Sequence, residues 1–156
     1  MKEQARILVI DDDATVRRSL EVALKKNGYD VNVAETGKEA IAKSRAKLYN
    51  LALVDLRLPD MDGIELLTGM REVAPKMVKI IITGYPSQEN AIEAINRGAN
   101  GYLVKPYTVE ELLRKIKEQL QKQREARKYS EEKVKEFIEA RAEEHESRAS
   151  KKRSAK

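Results

Sequence analysis

Four short apolar runs in this sequence are each followed directly by a polar residue that can do chemistry. Residues 11–13 are three consecutive aspartates, Asp55 follows a second run, and Thr83 and Lys105 follow two later ones. Clustered carboxylates repel one another, so such a cluster is stable chiefly when a hard divalent cation binds it. Mg²⁺, which prefers carboxylate and water oxygens, is therefore the expected cofactor.

The residue types beside this cluster suit phosphoryl transfer. The carboxylate of Asp55 could attack a phosphorus atom, while Lys105 neutralises charge on the phosphoryl oxygens and Thr83 donates a hydrogen bond to them. The expected product is an aspartyl phosphate. Each residue also has a structural explanation: Asp13 as a helix cap, Thr83 as a strand end, Lys105 as a solvated charge. Their joint placement at four strand ends favours the chemical explanation.

The elements that must position these residues follow from the apolar pattern. Five apolar runs alternate with five stretches of helical periodicity, and Thr36 and Thr108 each open a capping box. The predicted strands are residues 7–10, 31–34, 51–54, 78–82 and 101–104. This alternation predicts a parallel sheet with helices on both faces, a doubly wound α/β fold. The carboxyl ends of its strands, where ligands bind in such sheets, share one edge.

Composition limits the classes of protein that fit. The chain has 156 residues, of which 41% are apolar, and it has no cysteine, which excludes disulfides and thiolate metal sites. No apolar run is long enough for a signal peptide or a membrane span, so we expect a cytoplasmic protein without membrane contact. Residues 121–156 hold 12 Lys or Arg and 8 Asp or Glu, so most of the net charge of +5 lies there.

Four motifs together resemble a known family. They are the acidic pair in ILVIDDD, the aspartate in LVDLRLPDMDG, the hydroxyl in IIITG, and the segment GYLVKP. In this combination residues 5–120 resemble the CheY-like receiver domain of two-component response regulators. The resemblance implies a flavodoxin-like sheet with strand order 2-1-3-4-5. We therefore expect a receiver domain over residues 1–120 and a charged helical extension over residues 121–156, with a disordered end.

The resemblance also implies a metal site. Asp11 and Asp12 correspond to the acidic pair, with Asp12 preferred as the direct Mg²⁺ ligand. Asp55 corresponds to the phosphoacceptor and also binds the metal. The backbone carbonyl of Arg57 completes the protein ligands.

Three further roles come from the resemblance. Thr83 corresponds to the switch hydroxyl, Tyr102 to the switch aromatic, and Lys105 to the phosphate-binding lysine. In the family this lysine is usually followed by a cis-proline bond, which Pro106 would supply.

The implied function is phosphorylation-dependent signalling. A sensor histidine kinase or a phosphotransfer protein would donate a phosphoryl group to Asp55, and a changed surface would select a downstream effector. The chain is not expected to be a classical enzyme, but Mg²⁺-dependent self-phosphorylation and slow autodephosphorylation are expected. A homodimer could form through helix 4, strand 5 and helix 5, or through the C-terminal helix.

Other classes of function compete with this interpretation. The stretch Asp11 to Thr15 fits the DxDxT opening of haloacid-dehalogenase-type phosphatases, but Asp55 precedes Thr83, and that order favours a receiver. One rival is a docking module that is never phosphorylated and acts through its C-terminal helix. Another is a DNA-binding regulator that lacks its output domain here.

The C-terminal extension has few signals of its own. Ser130 could cap a separate helix whose narrow apolar stripe is Val134, Phe137 and Ile138. The basic residues near the end are Arg148, Lys151, Lys152 and Arg153. They lack interleaved aromatics, so we do not expect nucleic acid as a partner. A contact with a second copy or a partner helix is the alternative to a solvated helix.

Overall fold

The computed structural model describes residues 4–154, and within them the chain forms five strands and five helices. The strands are β1 Arg6–Ile10, β2 Asp30–Ala34, β3 Leu51–Asp55, β4 Val78–Thr83 and β5 Gly101–Val104. The helices are α1 Ala14–Lys26, α2 Gly37–Ala46, α3 Gly63–Val73, α4 Gln88–Asn96 and α5 Val109–Ser154. All four neighbouring strand pairs are parallel, and the order is β2-β1-β3-β4-β5. The predicted fold class and strand order are confirmed.

Helices cover both faces of this sheet, because alternate strand residues point to opposite sides. On one face, Ile7 and Val9 of β1 pack in a core with side chains of α1 and of the first turns of α5. On the other face, Leu8 and Ile10 pack in a second core with side chains of α2, α3 and α4. Strands buried on both faces explain why the sequence shows continuous apolar runs.

Polar side chains cap α1, α2, α3 and α5, as the sequence predicted at Thr36 and Thr108. The side chain of Asp13 accepts hydrogen bonds from Thr15 N and Val16 N at the start of α1, and Asp62 accepts one from Ile64 N at the start of α3. Thr36 caps α2 and Thr108 bonds to Glu111 N in the first turn of α5. These bonds satisfy N–H groups that have no partner inside a helix.

A buried lysine interrupts the apolar pattern of β4. Lys79 is 2% exposed, and its ammonium group donates a hydrogen bond to Met77 O at 3.1 Å. Burial lowers the pKa of Lys79, and the charge of Arg71 lowers it further. The apolar neighbours on both sides explain why the sequence pattern treats this position as part of a core strand.

The chain divides into two compact units, Met1–Leu120 and Gln121–Lys156. In the second unit, Tyr129, Val134, Phe137 and Ile138 are each 58% to 62% exposed. The helix start predicted at Ser130 is wrong, because α5 continues through it to Ser154. No Gly or Pro interrupts this segment, and an exposed serine is tolerated inside a helix. Ala155 and Lys156 lie outside the described residues, so the expected disordered end stays a prediction. None of the helices in the described part of the chain is both long and apolar enough to cross a membrane.

Candidate acidic phosphoryl-transfer site

The sheet brings the predicted site residues to one edge. Ile10, the last residue of β1, pairs with Val54, so Asp11 and Asp55 lie at neighbouring strand ends. Thr83 ends β4 and pairs with Val104, the residue before Lys105. The main chain continues this pairing for one more step, since Lys105 N donates to Thr83 O at 2.8 Å.

Three carboxylates form the centre of the site. Asp11, Asp12 and Asp55 each offer an oxygen, and these oxygens all lie within 4.8 Å of one another. The side chain of Asp11 is 6% exposed and that of Asp55 14%, whereas Asp12 is exposed. Asp13 is not part of the cluster, because its carboxylate caps α1. Three hard oxygen donors in so small a space fit Mg²⁺ in chemistry and in charge.

Asp11 is held by both its side chain and its backbone. Its carboxylate accepts a hydrogen bond from Asp13 N at 2.9 Å, and its backbone N–H donates to Ala34 O at 3.1 Å. Burial raises the pKa of Asp11 to about 6, and the charge of Asp55 adds to this rise against the lowering effect of the Asp13 N–H. The folded chain therefore holds a carboxylate that costs stability when it is ionised without a cation.

We expect the Asp11→Asn variant to be more stable than wild type in EDTA. The pKa of Asp11 rises from 3.8 to about 6 on folding. The ionised group therefore destabilises the fold fully above about pH 6 and not at all below about pH 4. Removing it should raise the free energy of unfolding by up to about 3 kcal/mol at pH 8.

Urea unfolding as a function of pH measures this effect. The gain should shrink as the pH falls from 6 to 4. The Asp12→Asn variant changes the charge by the same amount at an exposed position, so its free energy of unfolding should rise less. A gain that is equal at pH 4 and pH 8 would contradict the assignment to this carboxyl group.

Lys105 is the cation that the structure places beside the cluster. Its ammonium nitrogen lies 3.9 Å from Asp11 Oδ2 and 3.9 Å from Asp55 Oδ2, with the side chain 33% exposed. The bond between Lys105 and Pro106 is cis, as the resemblance implied. One lysine cannot balance three carboxylates, so the site keeps a negative charge that attracts a cation.

The loop after β3 folds tightly against the end of the strand. Arg57 N donates to Asp55 Oδ1 at 3.0 Å, and Gly63 N donates to Leu56 O at 2.9 Å. A Cβ atom at Gly63 would lie 2.7 Å from Asp55 O, so only glycine allows this close approach. Arg57 thus lies two residues after Asp55 in a loop held by these contacts, and the metal-binding role of its carbonyl stays a prediction.

Thr83 is buried at the end of β4, and Tyr102 on β5 is partly buried. Thr83 is 1% exposed, and its Oγ1 accepts a hydrogen bond from Tyr85 N at 3.0 Å, so its own hydroxyl proton is available to another acceptor. Tyr102 packs against the core between the sheet and α2, α3 and α4. Among the described residues its hydroxyl is buried without a hydrogen-bond partner. An unpaired buried hydroxyl costs stability, so an arrangement that gave the Tyr102 hydroxyl a partner would be favoured.

An exposed cation–π stack involves Arg57, two residues after Asp55. The guanidinium carbon of Arg57 is 3.5 Å from the centroid of the Tyr85 ring, within the range of a cation–π contact. Tyr85 itself is 61% exposed. Gly84 is exposed between Thr83 and Tyr85, and a Cβ atom there would meet only Lys105, at 4.0 Å. The approach to the site is therefore bordered by the stack and left open at Gly84.

Two further residues, Tyr107 and Arg17, lie close to the site and were not predicted from the sequence. Burial raises the pKa of Tyr107, and the charges of Asp11 and Asp55 raise it further, so its phenol belongs to the same environment. Arg17 on α1 donates from Nη1 to Asp11 O at 2.8 Å. Position 107 follows the motif GYLVKP directly, which could have drawn attention to it. Arg17 has no comparable signal, because it reads as an exposed residue of an amphipathic helix.

Comparisons with known proteins match this geometry. The family described as "Response regulator receiver domain" matches residues 7–117. The transcriptional regulatory protein ZraR of Klebsiella oxytoca is 39% identical over 118 residues, which cover 76% of this chain and 27% of ZraR. The chain spans about a quarter to a half of the length of the curated regulators ZraR, ResD and ArlR that it matches.

Two solved structures share the fold. A CheY-like receiver domain protein from Methanospirillum hungatei is 43% identical with a TM-score of 0.78, covering 80% of this chain and 99% of that one. A response regulator from Burkholderia pseudomallei is 33% identical with a TM-score of 0.68, covering 70% of this chain and 65% of that one. The Burkholderia structure contains a phosphorylated aspartic acid and a calcium ion.

Proposed function

This chain belongs to the response regulator receiver domain family, and on that premise we propose that it is a switch controlled by phosphorylation of Asp55. The observation that carries this proposal is the position of Lys105, 3.9 Å from the carboxylates of both Asp11 and Asp55 in a cluster of three acids. A partly buried acidic cluster with the Lys105 ammonium beside it is arranged to receive a metal ion and a phosphoryl group.

The proposed reaction is a single transfer. A carboxylate oxygen of Asp55 attacks the phosphorus of a phosphohistidine; the new O–P bond forms as the N–P bond breaks, and the imidazole leaves with the electron pair. When Mg²⁺ is bound, it supplies positive charge to the phosphoryl oxygens. Asp11, Asp12, Asp55 and the Arg57 carbonyl would hold it. Lys105 and Thr83 would bind the remaining phosphoryl oxygens.

The signal would leave the site through Thr83 and Tyr102. A phosphoryl group on Asp55 offers the Thr83 hydroxyl a charged acceptor, and its movement leaves room for the Tyr102 ring. Tyr102 lies on β5, beside the exposed apolar side chains of α4 and β5. These side chains are Ile92, Ile95 and Val104, at 51%, 63% and 40% exposure. We place the output surface, and a homodimer contact, on α4, β5 and the first turns of α5.

The partners follow from the family. Response regulators interact with histidine kinases and with downstream effectors. For this chain we propose a sensor histidine kinase or a phosphotransfer protein as the donor, in the cytoplasm, and a protein as the effector. The site residues and the family membership support this proposal.

Intact mass measurement tests the proposed function. Acetyl phosphate with Mg²⁺ should add one phosphoryl group that is stable in acid and labile in base, because it is an acyl phosphate. EDTA should prevent the addition, since little else offsets repulsion between the acidic cluster and the incoming dianion. A chain that stays unmodified with Mg²⁺, or that is modified equally in EDTA, would contradict the proposal.

We propose further that residues 121–156 make a protein contact. Val134, Phe137 and Ile138 are each about 60% exposed on α5, and burying them would contribute about 3 to 6 kcal/mol before ordering costs. This segment also favours the rival interpretation of the chain as a docking module. The two ideas differ in whether phosphorylation of Asp55 changes the contact.

The Phe137→Glu variant tests the contact because it removes the largest apolar side chain and no basic one. Self-association, measured by sedimentation, or binding to a partner should be lost. Unchanged self-association and partner binding would contradict the proposal. Binding to arbitrary DNA that falls steeply with salt and requires Lys151, Lys152 and Arg153 would instead support the nucleic-acid alternative.

A further inference from the structure

Two loops carry the groups proposed to bind Mg²⁺, and both are tied to one turn. The acidic loop is residues 11–13 and the β3–α3 loop is residues 56–62. The turn is residues 35–38, which join β2 to α2 and include the first two residues of α2. We infer that this turn is a clamp that fixes the distance between the two loops, and that Asp60 and Arg17 are the positioning residues through which it acts. The predicted effect on Mg²⁺ binding rests on the proposed function, whereas the clamp itself consists of hydrogen bonds and packing contacts that need no metal.

Asp60 makes the tie to the β3–α3 loop. Its Oδ1 accepts a hydrogen bond from Gly37 N at 2.8 Å, and its Oδ2 accepts one from Lys38 N at 3.0 Å. Both donors are in the first turn of α2, where N–H groups lack partners inside the helix. These two bonds lower the pKa of Asp60, so the carboxylate is ionised at neutral pH. Both oxygens of one side chain thus bind a helix more than twenty residues away.

A close packing contact accompanies these bonds. The side chain of Met61 lies directly over Gly37, in the space that a Cβ atom would occupy. Glycine at this position is therefore required for the loop to reach the turn. Two neighbouring residues of the loop, Asp60 and Met61, contact the same residue of α2, so the tie resists both sliding and rotation.

Arg17 makes the tie to the acidic loop. Its Nη1 donates to Asp11 O at 2.8 Å, and its Nη2 lies 2.8 Å from Glu35 Oε1. The Arg17 side chain is only 12% exposed, so its guanidinium is well placed between the two loops, whereas its partner Glu35 is 64% exposed and the ion pair itself is open to solvent. Glu35 N in turn donates to Glu39 Oε2 at 3.0 Å, which fixes the turn to α2.

The two ties meet within four residues of chain, and this has a consequence for metal binding. A site whose ligands are held at the right spacing loses less conformational freedom when the ion binds. Cutting the Asp60 tie should free residues 56–62 to move away from the acidic loop. The affinity for Mg²⁺ should then fall although every proposed ligand is still present.

The test compares two variants that damage the same end of α2. Asp60→Ala removes the bonds to Gly37 N and Lys38 N. Thr36→Ala removes the cap bond from Thr36 Oγ1 to Glu39 N, at 3.1 Å, and leaves the loop contacts in place. We expect titration calorimetry to show Mg²⁺ binding about tenfold weaker in Asp60→Ala, as for losses of outer ligand-shell partners, and within twofold of wild type in Thr36→Ala. Asp60→Asn keeps one acceptor oxygen, so its Mg²⁺ affinity should lie between those of the other two variants. It replaces Asp60→Ala in the test if that variant does not fold.

Hydrogen exchange gives a readout that needs no metal. The Arg57 amide donates to Asp55 Oδ1, and its exchange can be measured in EDTA. It should exchange faster in Asp60→Ala than in wild type, and at the wild-type rate in Thr36→Ala. Equal Mg²⁺ affinity and equal Arg57 protection in wild type and Asp60→Ala would overturn the clamp, as would equal losses in both variants. A wild type that binds no Mg²⁺ would overturn the proposed function, and the exchange rates would still decide on the clamp.

Discussion

Phosphorylation by acetyl phosphate should slow by about 100-fold or more in the Asp12→Asn variant, which corresponds to about 2.7 kcal/mol in the barrier. Asp12 is the exposed member of the three-acid cluster, so its substitution disturbs the fold least while removing a proposed ligand. The initial rate of mass increase at saturating Mg²⁺ and at a tenfold lower concentration measures the loss. A high Mg²⁺ concentration should restore part of the rate, because the substitution lowers the affinity for Mg²⁺ and leaves the Asp55 carboxylate unchanged.

Asp13 provides the matched control for this prediction. It is the next residue, Asp13→Asn changes the net charge by the same amount, and asparagine is as good a helix cap as aspartate. Its carboxylate bonds to Thr15 N and Val16 N and lies outside the cluster. The Asp13→Asn rate should stay within about twofold of wild type. Equal losses in the two variants would mean that general charge, and not a metal site, controls the reaction.

Loss of the phosphoryl group should be about tenfold faster in the Arg57→Ala, Tyr85→Ala double variant. Hydrolysis requires water to reach the phosphorus and break its bond to the Asp55 oxygen. The stack of Arg57 on Tyr85, at 3.5 Å, borders that approach and would exclude water from it. The decay of the phosphorylated mass after removal of the donor measures the rate.

Tyr85→Phe is the control for the stack. It keeps the ring that Arg57 covers and removes only the hydroxyl, so its decay should equal that of wild type. A double variant that decays at the wild-type rate would remove the shielding argument. The phosphorylation rate serves as a second readout, because a damaged site would slow phosphorylation as well.

The sequence was sufficient for the fold and for the residues at strand ends. Periodicity and capping signals are local, so Asp13, Thr36 and Thr108 could be assigned to helix starts that the structure confirms. A parallel sheet then fixes which strand ends share an edge. Asp11, Asp55 and Lys105 meet there because strand order alone brings them together.

The sequence did not indicate the contacts that join one loop to another. Asp60 resembles an ordinary turn residue, and its partners Gly37 and Lys38 lie more than twenty residues earlier. Arg17 resembles any charged residue on a helix. Whether Tyr102 points inward depends on packing across the whole core, which no local pattern encodes. The prediction of a new helix at Ser130 was wrong because a capping preference shows only where a helix can begin. Here no residue ends the helix that precedes Ser130, so α5 continues through it.

Borohydride trapping tests the central claim most directly. The reagent reduces an acyl phosphate to an alcohol, so a phosphorylated aspartate becomes homoserine, a stable mark that peptide mass spectrometry can locate. After treatment with acetyl phosphate and Mg²⁺, we predict homoserine at position 55 and at no other aspartate, and none in the Asp55→Asn variant or in EDTA. Homoserine at Asp11 or Asp12 instead, or equal phosphoryl uptake by Asp55→Asn, would contradict the assignment of Asp55 as the phosphoacceptor.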